Sequence, residues 1–451
     1  MFKYPEESSD QQPSTITGVK KAWLATADMG YGHQRALLPL NYLAYEEIIA
    51  VGSNVNTPPI ERRLWKRVLW IYELLSRAKE VPLIGRMLYK LLDFFLHIPS
   101  LYPKRDMSKP TFQVKIMLSA IKKGLCQALT EKLKQSPNIP LITSFYAPAL
   151  ASDIAGHKKI YCIICDTDLN RVWVAEDPIK SRIEYFAPCT KAVRRLRSYG
   201  VPQHRIHLTG FPLPIELLGD RSLDVLRKNL GQRLHYLDPY NRFGQLHKRD
   251  VEYFLGNENI NFNNDRALTI TFAVGGAGAQ KNIARSIAYS LRGKLHDNKI
   301  RLNLVAGTRT EVLEYFLDLK EEINSSNINV VYGKEIGEYY CNFNQILHTT
   351  DILWSKPSEL SFYCGLGLPF IMTPIIGSQE KANKKWIREI QAGFKQENPE
   401  YADQWLSDLL SSGRLAEAAW SGFLNARKKG TFNIIDIINN GIPSSPNDII
   451  R

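Results

Sequence analysis

Lys21-Ala22-Trp23-Leu24-Ala25-Thr26-Ala27-Asp28-Met29-Gly30-Tyr31-Gly32-His33-Gln34-Arg35-Ala36 reads as a short apolar strand, a glycine-rich loop and the start of a helix. Ala36, Leu37, Leu40 and Leu43 recur at helical spacing after it. The same order returns at Ala267–Val274, which runs into Gly275-Gly276-Ala277-Gly278-Ala279-Gln280 and a helix to about Arg292. Between and beyond these openings, strand and helix alternate. In the first half the pattern predicts strands at 140–145, 159–165, 183–187 and 205–209, with helices at about 111–135 and 191–199. In the second it predicts strands at 301–306, 328–332 and 352–354, with helices at 310–322 and 339–348. Such alternation favours parallel, doubly wound α/β sheets, so two Rossmann-like domains facing a cleft are expected. Gly210-Phe211-Pro212-Leu213-Pro214 breaks the series. The expected division is a flexible N-terminus at 1–20, a domain at 21–215, a second at 216–430, and a C-terminal helix and tail at 431–451 packing across the junction. Residues 216–265 are polar with weak periodicity and read as a linker helix and a surface loop.

At 451 residues, with 44% hydrophobic and 23% charged residues, the chain has ordinary globular composition. No apolar run is long enough to span a bilayer, and the polar N-terminus lacks the layout of a secretory signal. A cytoplasmic protein is expected, or one peripheral at the inner face of the membrane. Six cysteines lack a repeated ligand spacing, and Cys162 and Cys165 lie in an apolar run without a second pair, so no metal is assigned there. The net charge of +13 is concentrated: residues 61–125 hold 14 Lys and Arg against 5 Asp and Glu, interleaved with Trp65, Trp70, Tyr72, Tyr89, Phe94 and Phe95. Amphipathic helices within 61–108 could cover the sheet or meet an anionic membrane surface, since they offer both apolar area and cations. A nucleic-acid module is not recognisable, so nucleic acid is not an expected partner.

Chemistry is concentrated at Lys356-Pro357-Ser358-Glu359-Leu360-Ser361-Phe362-Tyr363-Cys364-Gly365-Leu366-Gly367-Leu368-Pro369 and at Ile376-Gly377-Ser378-Gln379-Glu380-Lys381-Ala382-Asn383. The first reads as a helix opening with Ser358 and Glu359, the second as a polar loop after a buried strand. A nucleotide-sugar suits this layout. Glu359 can accept from two ribose hydroxyls, the helix start attracts pyrophosphate, and Gln379 and Glu380 can bond sugar hydroxyls.

The motifs Gly30-Tyr31-Gly32-His33, Asp166-Thr167-Asp168 with Trp173, Thr209-Gly210-Phe211-Pro212, Gly275-Gly276-Ala277-Gly278, and Ser358-Glu359 with Gln379-Glu380 and Asn383 resemble those of monogalactosyldiacylglycerol synthase and processive diacylglycerol glucosyltransferase. More loosely, they are similar to the N-acetylglucosaminyltransferase that makes lipid II. The resemblance runs from about 22 to 425 and is interrupted at 216–265. It implies a GT-B glycosyltransferase that inverts the anomeric centre without a bound metal or other cofactor. The N-terminal domain would hold a lipid or lipid-linked acceptor and the C-terminal domain a UDP-sugar.

Carried over by position, Gly30 and Gly32 form the acceptor loop and His33 is a candidate general base. Gly275, Gly276 and Gly278 would lie near the diphosphate, Glu359 at the ribose, and Gln379 and Glu380 at the transferred sugar, with Ser358 and Asn383 also among the donor-binding residues. Asp168 is a candidate for positioning the acceptor or His33. The Asp166-x-Asp168 spacing would also suit a divalent cation, but it sits in the half opposite the donor motifs. Tyr31 between the glycines is a departure from the family. Two other functions remain open on this scaffold: a nucleotide-sugar epimerase, which needs further acid and base groups near the sugar, and a non-catalytic sugar- or lipid-binding protein.

Overall fold

The computed structural model describes residues 19–52, 57–67, 98–260, 266–275, 278, 280–375 and 378–443. Much of the basic segment 61–108, nearly all of the expected flexible N-terminus, Gly276 and the last residues of the tail lie outside these.

Two six-stranded sheets, parallel throughout, form the cores. The first contains β1 (Trp23–Ala27), β2 (Ile49–Val51), β3 (Leu141–Thr143), β4 (Ile160–Ile163), β5 (Ile183–Ala187) and β6 (Ile206–Leu208), in the order β2-β1-β3-β4-β5-β6. The second contains β7 (Leu268–Ala273), β8 (Ile300–Gly307), β9 (Ile328–Tyr332), β10 (Ile352–Ser355), β11 (Phe370–Met372) and β12 (Gly393–Lys395), in the order β12-β11-β10-β7-β8-β9. Helices cover both, and every residue of β1 and β7 is buried, as expected where a strand packs on two faces. This is the GT-B architecture, two Rossmann-like domains across a cleft.

The strand orders decide where ligands can sit. In each sheet the chain winds outward on one side, returns to the middle, and winds outward on the other. The reversal falls between β1 and β3 in the first sheet and between β7 and β10 in the second. Crevices beyond the carboxyl ends of strands at such reversals are the binding positions of doubly wound sheets.

Several elements differ from the sequence reading. The three-residue edge strands β2 and β12 carry too little pattern to be seen. The helix expected over 111–135 is two helices, Phe112–Lys122 and Gln127–Gln135, separated where Gly124 and Cys126 adopt φ of +103° and +64°. Residues 216–265 include helices Asp224–Leu237 and Arg242–Leu255 rather than a surface loop. The first hides its periodicity because Arg233 lies on its buried face, donating to the carbonyls of Thr350 and Leu366 at 2.7 Å each. The polar loop expected at 376–383 leads into the helix Ser378–Glu389. Glu359–Leu366 is a 3-10 helix, not an α-helix.

The helix Gly430–Asn440 crosses back to the first sheet: Thr431 Oγ1 donates to the Leu213 carbonyl, Asn433 Nδ2 to the Thr209 carbonyl, and Lys20 Nζ to the Asn439 carbonyl. Gly430 has no room for a side chain, because a Cβ there would strike the Phe211 carbonyl.

Candidate active site at the domain junction

The turn after β1 begins the site. Gly30 adopts φ +99°, a left-handed conformation that only glycine takes without strain, and the helix Tyr31–Leu37 starts directly after it. Gly32 is required for a different reason. A Cβ there would stand 2.8 Å from Glu359 Oε2, in the opposite domain. The absence of a side chain at Gly32 is therefore what lets the two motifs meet.

His33 follows. Its Nδ1 lies 2.8 Å from the Ser144 carbonyl, just past β3, so this bond spans the reversal in the first sheet. A carbonyl only accepts, which assigns the proton to Nδ1 and leaves the Nε2 lone pair available. Phe145 packs edge-on at 4.9 Å between ring centroids, with Trp173 at 6.0 Å. Burial lowers the His33 pKa to about 4, offset in part by the Ser144 bond and the Glu359 charge. The imidazole is thus neutral at physiological pH and able to accept a proton.

Asp166, beyond β4, carries the opposite shift. Burial pushes its carboxyl up to about 7, the Asn383 hydrogen bond opposes this, the charges of Glu359 and Glu380 add to it, and Lys356 pulls it down. Asp168 is elsewhere in its bonding. Both its oxygens face Arg195, Nε–Oδ1 at 2.7 Å and Nη2–Oδ2 at 3.1 Å, with Lys191 at 3.5 Å and the Leu169 amide at 3.0 Å. That buried cluster anchors the loop. The carboxylate connected to the donor motifs is Asp166, not Asp168.

In the second domain the residues past β7 and β10 converge across its own reversal. Gly278 closes a tight turn by donating to the Gly275 carbonyl at 2.8 Å and adopts φ +69°. Lys356, immediately after β10, runs over Gly275: a Cβ at that glycine would lie 2.6 Å from Lys356 Cε. Its Nζ donates to Glu380 Oε1 at 3.0 Å. Ser358 makes no side-chain capping bond. Gln379 is half-buried in the first turn of Ser378–Glu389, beside the buried Glu380.

Two of the sequence-predicted donor residues also bond to the other domain. Glu359 Oε1 accepts from Arg35 Nε at 3.1 Å. Asn383 is fully buried and all four of its bonding positions are filled: Nδ2 donates to Asp166 Oδ1 at 2.8 Å and to the Pro357 carbonyl at 3.1 Å, while Oδ1 accepts from the Thr167 amide and hydroxyl at 2.9 Å each. Tyr31 adds a third contact. Its hydroxyl accepts from the Thr308 amide at 2.8 Å, and its carbonyl accepts from the Tyr340 hydroxyl at 2.7 Å. The structure therefore brings together Gly32, His33, Asp166, Gly275, Lys356, Glu359, Glu380 and Asn383, and leaves Asp168 outside.

Sequence reasoning gave no role to Arg35, Lys356 or Asp166 as the connected carboxylate. Two of them carried a signal. Arg35 interrupts the buried side of its helix beside Ala36 and Leu37, and Lys356 directly follows an apolar strand, where binding groups of parallel sheets lie. Among the described residues no group of three or more His, Cys, Asp or Glu is arranged to hold a metal ion. No described helix is long and apolar enough to cross a membrane.

No family model matches the chain, and no curated protein matches it. Solved structures do. MnaA of S. aureus in complex with UDP is 12% identical, with 93% of this chain and 96% of that chain covered at a TM-score of 0.46. UDP-GlcNAc 2-epimerase from Neisseria meningitidis, bound to UDP-GlcNAc, is 13% identical over 93% and 97% at 0.44. MurG of Acinetobacter baumannii is 13% identical over 93% and 99%, also at 0.44. The activity of this chain is accordingly argued from its own residues.

Proposed function

We propose that this chain is an inverting glycosyltransferase that moves a hexose or N-acetylhexosamine from a UDP-sugar to a hydroxyl of a lipid or lipid-linked acceptor, without a metal ion. The observation that carries the proposal is His33 held as a neutral base at the reversal of the first sheet, with the Gly275, Lys356 and Glu380 group at the reversal of the second. His33 Nε2 takes the acceptor proton as its oxygen attacks the anomeric carbon. The bond from that carbon to the diphosphate oxygen breaks and its electron pair leaves with UDP. Lys356, lying over Gly275, faces the departing charge, which is the work a cation would otherwise do. Glu359 takes the ribose hydroxyls, and Gln379 and Glu380 those of the sugar. On this division the acceptor belongs to residues 21–215 and the donor to 216–430.

The lipid side rests on the sequence resemblance and on the exposed face of Phe112–Lys122, where Phe112 and Ile116 lie beside Lys115, Lys122 and Lys123. An exposed phenyl ring and an aliphatic side chain flanked by cations suit an anionic membrane surface. The test is UDP release from a panel of UDP-sugars, with and without total membrane lipid, in EDTA. Lipid-dependent release with one sugar is expected; no release with any sugar despite measurable UDP binding would refute transferase activity towards lipid.

One observation favours a second reading, a nucleotide-sugar epimerase. Asp166 titrates near neutrality among Glu359 and Glu380, which supplies acid and base groups the sequence alone did not locate. Product analysis in the absence of any acceptor separates the two, since only an epimerase would return an altered sugar.

A further inference from the structure

Arg35 is a fully buried cation that projects from the first domain into the second. Its guanidinium carbon lies 4.6 Å from the ring centroids of both Tyr340 and Phe343, 5.6 Å from Tyr339 and 5.8 Å from Tyr363, so four rings form a box around it. Nη2 donates to the Tyr339 hydroxyl at 2.9 Å and Nε to Glu359 Oε1 at 3.1 Å, while the buried Nη1 has no partner. Among the described residues Glu359 is the carboxylate that pairs with Arg35. A cation in such a box needs its anion, and a carboxylate that is itself nine-tenths buried needs its cation equally.

We infer that Arg35 is a positioning residue for the nucleotide, fixing the Glu359 carboxylate in the orientation that accepts both hydroxyls of a ribose. This rests on the reading of Glu359 as the ribose ligand. The geometry allows the two partners at once. An ionised carboxylate has about four lone-pair sites, of which Arg35 Nε uses one on Oε1. Oε2 packs against Gly32, where a Cβ would stand only 2.8 Å from it, and among the described residues no hydrogen bond uses its lone pairs. A rotated Glu359 would move its acceptors away from a diol, which presents donors. Arg35 thereby ties nucleotide recognition in the second domain to the helix that carries His33 in the first.

The test compares binding of UDP and 2′-deoxy-UDP by titration calorimetry to the full chain and to Arg35→Gln, Arg35→Lys and Glu359→Gln, with circular dichroism to establish folding. Wild type is expected to prefer UDP by about tenfold or more, the worth of one hydrogen bond to a charged group. Arg35→Gln is expected to bring the ratio towards one, as Glu359→Gln does, and the double variant to lower it no further. A loss of packing alone would weaken both ligands equally and leave the ratio unchanged. Arg35→Lys keeps the charge without the Nε geometry, so its ratio falls between. A folded Arg35→Gln with the wild-type ratio overturns the inference; if only Arg35→Lys folds, a wild-type ratio there overturns it. Wild type that binds both ligands equally refutes the ribose role of Glu359 and the inference with it, whereas wild type that binds neither refutes the UDP-sugar reading itself.

Discussion

Asn383→Asp tests the junction with a single-atom change. Nδ2, which donates to Asp166 Oδ1 at 2.8 Å, becomes an oxygen at the same place, while the oxygen that accepts from Thr167 is kept. Below neutrality the change costs the bond from Nδ2 to the Pro357 carbonyl, but the Asp166 contact survives. Asp166 already holds its proton up to about pH 7 and can donate it to the new carboxylate. Above neutrality, wild-type Asp166 ionises against a hydrogen-bond donor, whereas the variant must either ionise two carboxylates in contact or retain a proton that the unfolded chain has lost. Two unit charges about 4 Å apart repel by about 4 kcal/mol at an effective dielectric of 20. A carboxyl whose folded pKa is raised contributes stability at low pH that is lost as pH rises towards that value. The variant should therefore show a pH-independent loss from the Pro357 bond near pH ~5 and a further loss of about 2–4 kcal/mol in urea-midpoint stability near pH ~8. Equal losses at both pH values would mean that Asn383 acts by packing alone and that Asp166 is not its partner in solution.

The other predictions concern the remaining residues at or near the junction. His33→Ala should lower turnover by about 10²–10⁴-fold with UDP affinity unchanged, and the acid limb of wild-type kcat/KM should carry a pKa near 4 rather than the 6.5 of a solvated imidazole. Because a depressed histidine pKa adds stability as pH rises from about 4 to 6.5, His33→Phe should flatten that rise in urea midpoint. Asp168→Asn should cost about 3–5 kcal/mol of stability by leaving Arg195 and Lys191 without their anion, while per-molecule turnover of the folded fraction stays near wild type. A turnover loss without a stability loss would return Asp168 to the reaction. Gly32→Ala should weaken UDP binding, since its Cβ would press on Glu359 Oε2 at 2.8 Å; unchanged affinity would place the nucleotide away from Glu359.

The two sheets were legible because strand, glycine loop and helix repeat in order, and because strands buried on both faces read as continuous apolar runs. The placement of Gly275, Glu359 and Glu380 near strand ends was legible for the same reason, since it is set by local chain order. What could not be read were bonds between residues far apart in sequence. Arg35 and Glu359 are 324 positions apart, and Asn383 and Thr167 are 216. No periodicity links such pairs. Asp168 was chosen over Asp166 because neighbouring carboxylates look alike in sequence; Arg195 on the helix Thr190–Ser198 at Asp168, and Asn383 at Asp166, separate their roles. The 3-10 form of Glu359–Leu366 was equally hidden, since its composition suits an α-helix and its geometry is set by packing around it.

The residues expected to hold the donor are also those that close the cleft, and this has a consequence for order of events. Asn383 has every bonding position filled, so a sugar hydroxyl can reach it only by displacing Thr167, Asp166 or the Pro357 carbonyl. Glu359 differs, because one bond to Arg35 leaves acceptor sites unused. Bonding of a ribose to Glu359 therefore keeps the Arg35 bond, whereas a ligand bonding to Asn383 must break a bond of the closed junction.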